Sequence, residues 1–475
     1  MNKTREKQLV KNTIIISIGK ICTQFISFFL LPLYTIKLST TEFGIIDLLN
    51  NYIALLIPIF FFQMDQGVFR FLIDARNKEI EKKNIISTSI ITITFQAFFF
   101  VILYLLLSVF IKNNYKYFLL TNLIAAMYSS VLLQICRGIG DNKTYSIGCL
   151  ISGVSAVILN VIFIVLLNLG ANGVLLATFI SNILCIVYVF IKEKIYQQLS
   201  FNNYINKTKR DIWKYSIPLV PNQLSWWVVN VSDRTIIKVF INTAANGIYA
   251  AANKISTICI TFFNFFNMTW AESASMHIKD GDSDQFFSKI FNISLSLFGS
   301  LCVGIIAILP FAFKIIIPGS EYSSAYFQIP ILIISTIFNI IVSLLGSIYV
   351  ALKKSNEIAK TSIFAAIINI LINLIFIRHI GLYAASISTV IAYLLMAIYR
   401  FIDIKKYIHL SIDFKKLALL IFMFIIIVPS YYLKNIYVCI ITLLICLFIS
   451  IIININVIKT AYEFSKNKII NLLKK

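Results

Sequence analysis

The chain has 475 residues, 59% of them hydrophobic and 13% charged, with a mean hydropathy of +0.87. Soluble proteins carry roughly 45–50% apolar and about 25% charged residues, and a water-soluble fold of this size cannot cover its surface with so few charges. Disorder, coiled coils and secreted disulfide scaffolds are thereby excluded, and the composition describes an all-α polytopic membrane protein.

Apolar stretches of about 20 residues, long enough to span a bilayer, recur almost without pause. They fall at 10–36, 43–66, 85–111, 117–136, 145–168, 172–191, 215–239, 244–269, 290–317, 326–352, 358–377, 382–402, 416–434 and 436–458, which predicts fourteen transmembrane helices. The first is too long for a signal h-region and lacks a small-residue cleavage site, so it is expected to stay uncleaved. No soluble domain and no phosphate-binding G-x-x-x-x-G-K-[ST] motif interrupts the series. Any energy source is then an ion gradient, the membrane potential, a substrate gradient or a separate subunit.

The formal charge is +22, from 42 Lys+Arg against 20 Asp+Glu. No nucleic-acid module or aromatic–basic stripe accompanies it, so nucleic acid is not expected as a partner. The charges sit in short loops instead, where they act as a topology signal facing membrane lipids. With the N-terminus placed inside, 32 of the 42 basic residues fall on inner segments, 7 on outer ones and 3 within spans. That asymmetry predicts a multi-pass protein with both termini cytoplasmic. Lysine outnumbers arginine 34 to 8, a codon-driven bias that points to an AT-rich bacterial genome and so to the bacterial cytoplasmic (inner) membrane. The eight cysteines lie almost entirely inside apolar runs without a C-x-x-C, and His277, His379 and His409 do not cluster, so no metal and no other cofactor is expected.

The chain also repeats itself. A shift of 203 residues carries Ser39-Thr40-Thr41-Glu42-Phe43-Gly44-Ile45 onto Asn242-Thr243-Ala244-Ala245-Asn246-Gly247-Ile248, and Asn50 onto Asn253. A shift of 213 carries Leu159-Asn160-Val161-Ile162-Phe163-Ile164 onto Ile372-Asn373-Leu374-Ile375-Phe376-Ile377. Two parallel six-helix halves follow: an N-terminal lobe at 1–191 and a C-terminal lobe at 215–402. A cytoplasmic linker at 192–214 joins them, helices 13–14 are appended at 416–458, and 459–475 forms a basic cytoplasmic tail. Two such halves facing each other place a substrate site between them.

Charges near a helix centre cost about 2.5–3.5 kcal/mol each on insertion scales, so they face protein or water. Here they gather in spans 1, 2, 7 and 8, which the repeat makes equivalent pairs. Span 1 carries Ser17, Lys20, Gln24 and Ser27 on one helical face, and span 2 carries Asp47, Asn51, Ala54, Pro58, Phe61 and Asp65. Span 7 has Gln223, Trp226, Asn230 and Asp233 with Arg234 beside them; span 8 has Ala250, Lys254, Thr257, Thr261 and Asn264. The stripes are expected to line a water-filled cleft in which Lys20 and Lys254, both at mid-depth, bind an anionic head group. The competing reading gives each lysine a structural partner. Asp47 and Arg234 lie at comparable depth near the outer face, and an ion pair between them is expected either as a gate that closes the outer end or as a static contact. Arg70, five residues from Asp65 at the inner end of span 2, either meets a phosphate from the cytoplasm or anchors the interface.

With these residues in view, the chain resembles the oligosaccharide flippases of polysaccharide biosynthesis. Their superfamily also holds the multidrug and toxic compound extrusion transporters and the lipid II flippase. The resembling pieces are Pro32-Leu33-Tyr34-Thr35 running into Glu42-Phe43-Gly44, Asp65 to Phe71, Arg137-Gly138 followed by Tyr145-Ser146, and Ser232-Asp233-Arg234 leading to Gly247-Ile248-Tyr249-x-x-x-Asn253-Lys254. The resemblance implies a multidrug and toxic compound extrusion-like fold and a non-enzymatic role. That role is alternating-access movement of an undecaprenyl-pyrophosphate-linked oligosaccharide from the inner to the outer leaflet, for O-antigen, capsule or exopolysaccharide. Polysaccharide polymerase and chain-length machinery are then the implied partners. It further implies that Lys20, Arg234 and Lys254 hold the pyrophosphate, with Gln24, Asn51, Arg70, Asn230 and Asn253 completing the substrate site. Helices 13–14 occur also in the lipid II flippase, where they line a groove for the lipid tail, and the same is expected here.

Two other readings stand beside this one. A flippase for lipid II or another lipid-linked precursor differs only in substrate. A cation-coupled multidrug exporter of the same fold would favour an acidic cavity, whereas the spans hold three acids (Asp47, Asp65, Asp233) against three bases (Lys20, Arg234, Lys254). A membrane glycosyltransferase needs a substantial outer loop, and every outer loop here is short.

Overall fold

The computed structural model describes Phe28 and residues 30–110, 113–278, 280–352 and 354–459, and among them there is no strand. Eleven of the described helices are long and apolar enough to cross a membrane. Large apolar side chains such as Phe95, Phe98, Leu106, Ile375, Ile425 and Phe448 point outward and are exposed, as only a lipid-facing surface tolerates on this scale. The protein is a multi-pass membrane protein.

The chain forms two compact units, residues 1–238 with 242–247, and residues 239–241 with 248–475. In the first unit, α1 (Leu31–Lys37) starts on Pro32, where a missing N–H costs nothing. Ser39 and Glu42 then form a reciprocal capping box that starts α2 (Thr40–Phe61).

The sequence predicted one span over 43–66, but α2 stops at Phe61. Phe62 and Gln63 both adopt left-handed backbone angles (φ 51° and 52°), and α3 (Met64–Asp74) restarts in a new direction. Asp65 therefore leaves the stripe of Asp47 and Asn51, and its carboxylate accepts bonds from Ser130 and Gln66.

Next come α4 (Glu79–Ser108), α5 (Lys116–Ile139), α6 (Asn142–Asn160) with a π-helical last turn at Val161–Leu166, and α7 (Gly170–Lys192). Val68, Leu72, Ile86, Leu123, Ile135 and Ile212 are fully buried among them. The basic segment after α7 folds into α8 (Ile195–Gln198) and α9 (Asn206–Ser216), and it is fastened to this unit. Ser87 Oγ donates to Ser200 O at 2.7 Å, and the amide of Ile205 donates to Thr88 Oγ1 at 3.0 Å. Pro218 separates α9 from α10 (Val220–Phe240) with a short 3₁₀ turn.

Next in the chain is α11 (Thr243–His277), which begins in the first unit and runs into the second. The second unit continues with α12 (Ser283–Ile316), α13 (Ala325–Ala351), α14 (Ser355–Ile380), α15 (Leu382–Ile404), α16 (Phe414–Leu433) and α17 (Ile436–Ile453). Its most enclosed helix is α13, and Ala384, Ala385, Ser388 and Ala392 let α15 pack closely on its neighbours. Asn369 on α14 bonds Ser388 and Thr389 on α15, an interhelical polar tie in an otherwise apolar layer. Helices α10 and α11 are long enough to span but fall outside the eleven. Their polar residues, Gln223, Asn230, Asp233, Arg234 and Lys238 on one and Asn253, Lys254 and Asn264 on the other, dilute their hydropathy.

Candidate functional site

The polar residues of α2 and α10 converge at the end of the first unit where α2 begins and α10 finishes. Asp47 lies seven residues into α2 and Arg234 six residues before the end of α10, so each sits about 10 Å from its helix terminus at 1.5 Å per residue. Arg234 Nε approaches Asp47 Oδ2 to 2.8 Å, with the two side chains only 11% and 14% exposed. The same carboxylate oxygen accepts Asn51 Nδ2 at 3.0 Å, and Asn246 Nδ2 lies 3.4 Å away. Arg234 also donates through Nη1 to the Asn230 carbonyl at 2.9 Å, and Trp227 Nε1 donates to the Asn51 carbonyl at 2.8 Å. One carboxylate thus holds a guanidinium and two amides, a charge-assisted cluster stronger than an exposed pair.

Beside the cluster the helix starts of α2 and α11 cross with no side chain between them. A Cβ on Gly44 would fall inside the Thr243 carbonyl oxygen, and one on Gly247 inside the Thr40 carbonyl oxygen. The buried Asn246 seals the crossing by donating to the Gly44 carbonyl at 3.0 Å. Glu42 adds a link to α7: its carboxylate accepts the Ala171 amide at 3.1 Å, where Gly170 supplies a positive φ of 55°. Four helix ends are therefore tied together here.

The remaining predicted residues lie elsewhere. Lys20 and Gln24 fall outside the described residues. Asn51, Asn230 and Arg234 belong to the cluster. Arg70 on α3 pairs with Asp74, one turn along the same helix, at 2.7 Å in an exposed position. Asn253 and Lys254 sit half-buried on α11 in the second unit, where Asn253 accepts from Ser256 Oγ. Asp233 is buried on the side of α10 turned about 100° from Arg234. In the sequence Asn246 stands out only through the repeat, and Gly44 and Gly247 through the repeat and the family resemblance. Their signal was a glycine at the same place in both helix starts, preceded in the second by a polar residue.

The second unit carries an apolar groove of about 620 Å³ between α12, α13 and α16, lined by Leu295, Ile337, Ile341, Leu420, Phe424 and Val428 among others, with no charged residue. Gly299 on α12 makes room for Leu420, whose methyl carbons stand where a Cβ would be. Ile421 and Ile425 are exposed along the rim, so the groove opens sideways to lipid.

Over residues 9–271, more than half of the sequence, the chain matches the polysaccharide biosynthesis protein family. The chain belongs to that family. It is similar to the probable low-salt glycan biosynthesis flippase Agl15 of Haloferax volcanii, with 23% identity over 189 residues, or 39% of this chain. That match spans 40% of the relative's length. Among solved structures, this family member is similar to an inward-facing multidrug resistance MATE family transporter of the MOP superfamily (TM-score 0.68, 13% identity, covering 83% of this chain and 98% of the other). It is also similar to the lipid II flippase MurJ in an inward closed conformation (TM-score 0.66, 14% identity, covering 94% and 100%). The fold is the one seen in these two structures.

Proposed function

We propose that this chain is a flippase that carries an undecaprenyl-pyrophosphate-linked oligosaccharide from the inner to the outer leaflet of the bacterial cytoplasmic membrane. It works by alternating access, feeds O-antigen, capsule or exopolysaccharide assembly, and performs no covalent chemistry. Family membership supports glycan biosynthesis. The observation that carries the lipid-linked substrate is the groove of α12, α13 and α16, which is apolar throughout and open to the bilayer. A water-soluble drug has no use for such a surface, whereas a polyprenyl tail does.

In this reading Lys20, Lys254 and Arg234 bind the pyrophosphate, and Gln24, Asn51, Asn230 and Asn253 offer hydrogen bonds to the sugar. Arg70 meets the head group at the cytoplasmic side, exchanging Asp74 for phosphate. Asp47 keeps Arg234 occupied while the outer end is closed, and opening frees the guanidinium for substrate. Carboxylate and pyrophosphate compete for the same cation, which couples the gate to the cargo.

The test is translocation of undecaprenyl-pyrophosphate-linked glycans in proteoliposomes, comparing the wild type with Lys20→Ala and Lys254→Ala. Movement that is lost in both folded variants is the expected result. Movement that does not depend on the lysines removes them from the site. Export of small cations on a sodium or proton gradient, without glycan movement, would overturn the proposal.

A further inference from the structure

Helix α16 is fastened at both ends; between them it packs on α12 through Leu420 and parts from α13. At its start, the amides of Ser411 and Asp413 donate to Ser288 Oγ and Asn292 Oδ1 of α12, each at 2.9 Å. At its end, Tyr326 of α13 and Tyr431 of α16 stack with centroids 4.1 Å apart and planes 15° from parallel. Each hydroxyl donates to the other's backbone carbonyl, Tyr326 to Tyr431 at 3.0 Å and Tyr431 to Tyr326 at 2.9 Å.

The sequence explains why both carbonyls are available. Pro330 has no N–H to give Tyr326 four residues back, and the Tyr431 carbonyl, in the last turn of α16, accepts from the backbone only a long 3.4 Å bond from the capping Lys434 amide. Tyr432 repeats the device by donating to the Phe327 carbonyl at 2.8 Å, and the Lys434 ammonium lies 4.3 Å from the Phe327 ring centroid. Tyr431 is 1% exposed and Tyr326 8%, so this clasp is solid.

Beyond the clasp α13 and α16 part around the groove. Its lining on α16 runs from Leu417 to Pro429, about 18 Å of helix, and ends two residues short of Tyr431. We infer that the Tyr326–Tyr431 clasp is the blind end of the groove and fixes the point beyond which a seated hydrocarbon chain does not extend. The chain enters and leaves through the side of the groove or its far end. The inference rests on the lipid-tail reading proposed above and adds to it a positioning element.

The test uses full-length protein in lipid nanodiscs with polyprenyl phosphates of increasing length, each carrying a diazirine at the tail end, and maps the crosslinks by mass spectrometry. In the wild type the label is expected to advance along Leu417–Pro429 as the probe lengthens and then to stop, sparing 326–327 and 431–434. In Tyr326→Ala/Tyr431→Ala the longest probe is expected to label those spared positions several-fold more strongly, with Tyr431→Phe between the two. Wild-type label at 431–434 overturns the blind end while leaving the lipid-tail seat intact. A double variant that melts earlier but keeps the wild-type label pattern does the same, because the clasp is then only a fastening. Absence of label from the groove at every probe length overturns the lipid-tail reading itself. The wild-type length series decides the matter even if the alanine variant does not fold.

Discussion

Gly44 and Gly247 meet backbone to backbone: the Thr243 carbonyl fills the space a side chain at Gly44 would need, and the Thr40 carbonyl the space one at Gly247 would need. The 203-residue shift that superimposes the two repeats carries Gly44 onto Gly247 and Thr40 onto Thr243. The contact is therefore reciprocal: each glycine faces the threonine carbonyl of its counterpart helix. Two helix starts related by that sequence shift close on each other with nothing larger than hydrogen between them.

A side chain at either glycine prevents that closure. Gly44→Val and Gly247→Val are expected to fold, because valine is a better helix former than glycine, but to populate an arrangement with this end open. Spin-label distances between α2 and α11 should lengthen in both variants and transport should fall. Unchanged distances would mean that the crossing is not a closing contact.

Reversing the charge of Asp47 or Arg234 alone should abolish most transport. An unpaired buried charge costs about 3–5 kcal/mol, and the pair here is largely withdrawn from solvent. The double reversal, Asp47→Arg with Arg234→Asp, should recover a substantial part of the loss. Failure of that rescue in complementation and proteoliposome assays would argue against a gate made by this pair.

The turn that follows α7 predicts a pH dependence outside the spans. Burial and then the neighbouring Asp141 carboxylate raise Glu193 above its ordinary 4.5. Burial also works against ionised Asp141, but hydrogen bonds from the amide and hydroxyl of Thr144, from Glu193 and from the Lys143 amide together outweigh it and hold the carboxyl below its ordinary 3.8. A raised acid destabilises the fold as pH climbs from its ordinary value through its folded one. Asp141 contributes stability above 3.8 that is lost as pH falls through its lowered folded value. Glu193→Gln should therefore raise the Tm at neutral pH, with the gain vanishing as pH falls to about 4. A gain that persists in acid would refute the assignment.

Arg400 on α15 is 1% exposed and holds three helices together. It donates to Thr361 Oγ1 at 3.0 Å and 2.8 Å and to the Val342 carbonyl at 2.9 Å, and a Cβ on Gly346 would stand 3.0 Å from its Nη1. Lysine retains the charge but not the planar fork. Arg400→Lys should cost about 2 kcal/mol or more, visible as a lower Tm in detergent. A wild-type Tm would show that the fork is dispensable.

The membrane class and the apolar character of the described spans were legible from composition and period, because lipid selects apolar runs about 20 residues long. The pairing of Asp47 with Arg234 was readable as an expectation, since helix position gives depth at 1.5 Å per residue. Depth alone could not show that Asn51 and Asn246 share the same carboxylate, nor that two glycines meet beside it. Those facts depend on which faces turn toward each other. The break at Phe62–Gln63 was invisible for a related reason: neither residue is a glycine, and only packing makes left-handed backbone at both acceptable. The clasp shows the same division. Pro330 frees the Tyr326 carbonyl by covalent structure and the last turn of α16 leaves that of Tyr431 only the long Lys434 bond, but only the fold brings Tyr326 and Tyr431, 105 residues apart, close enough to use them.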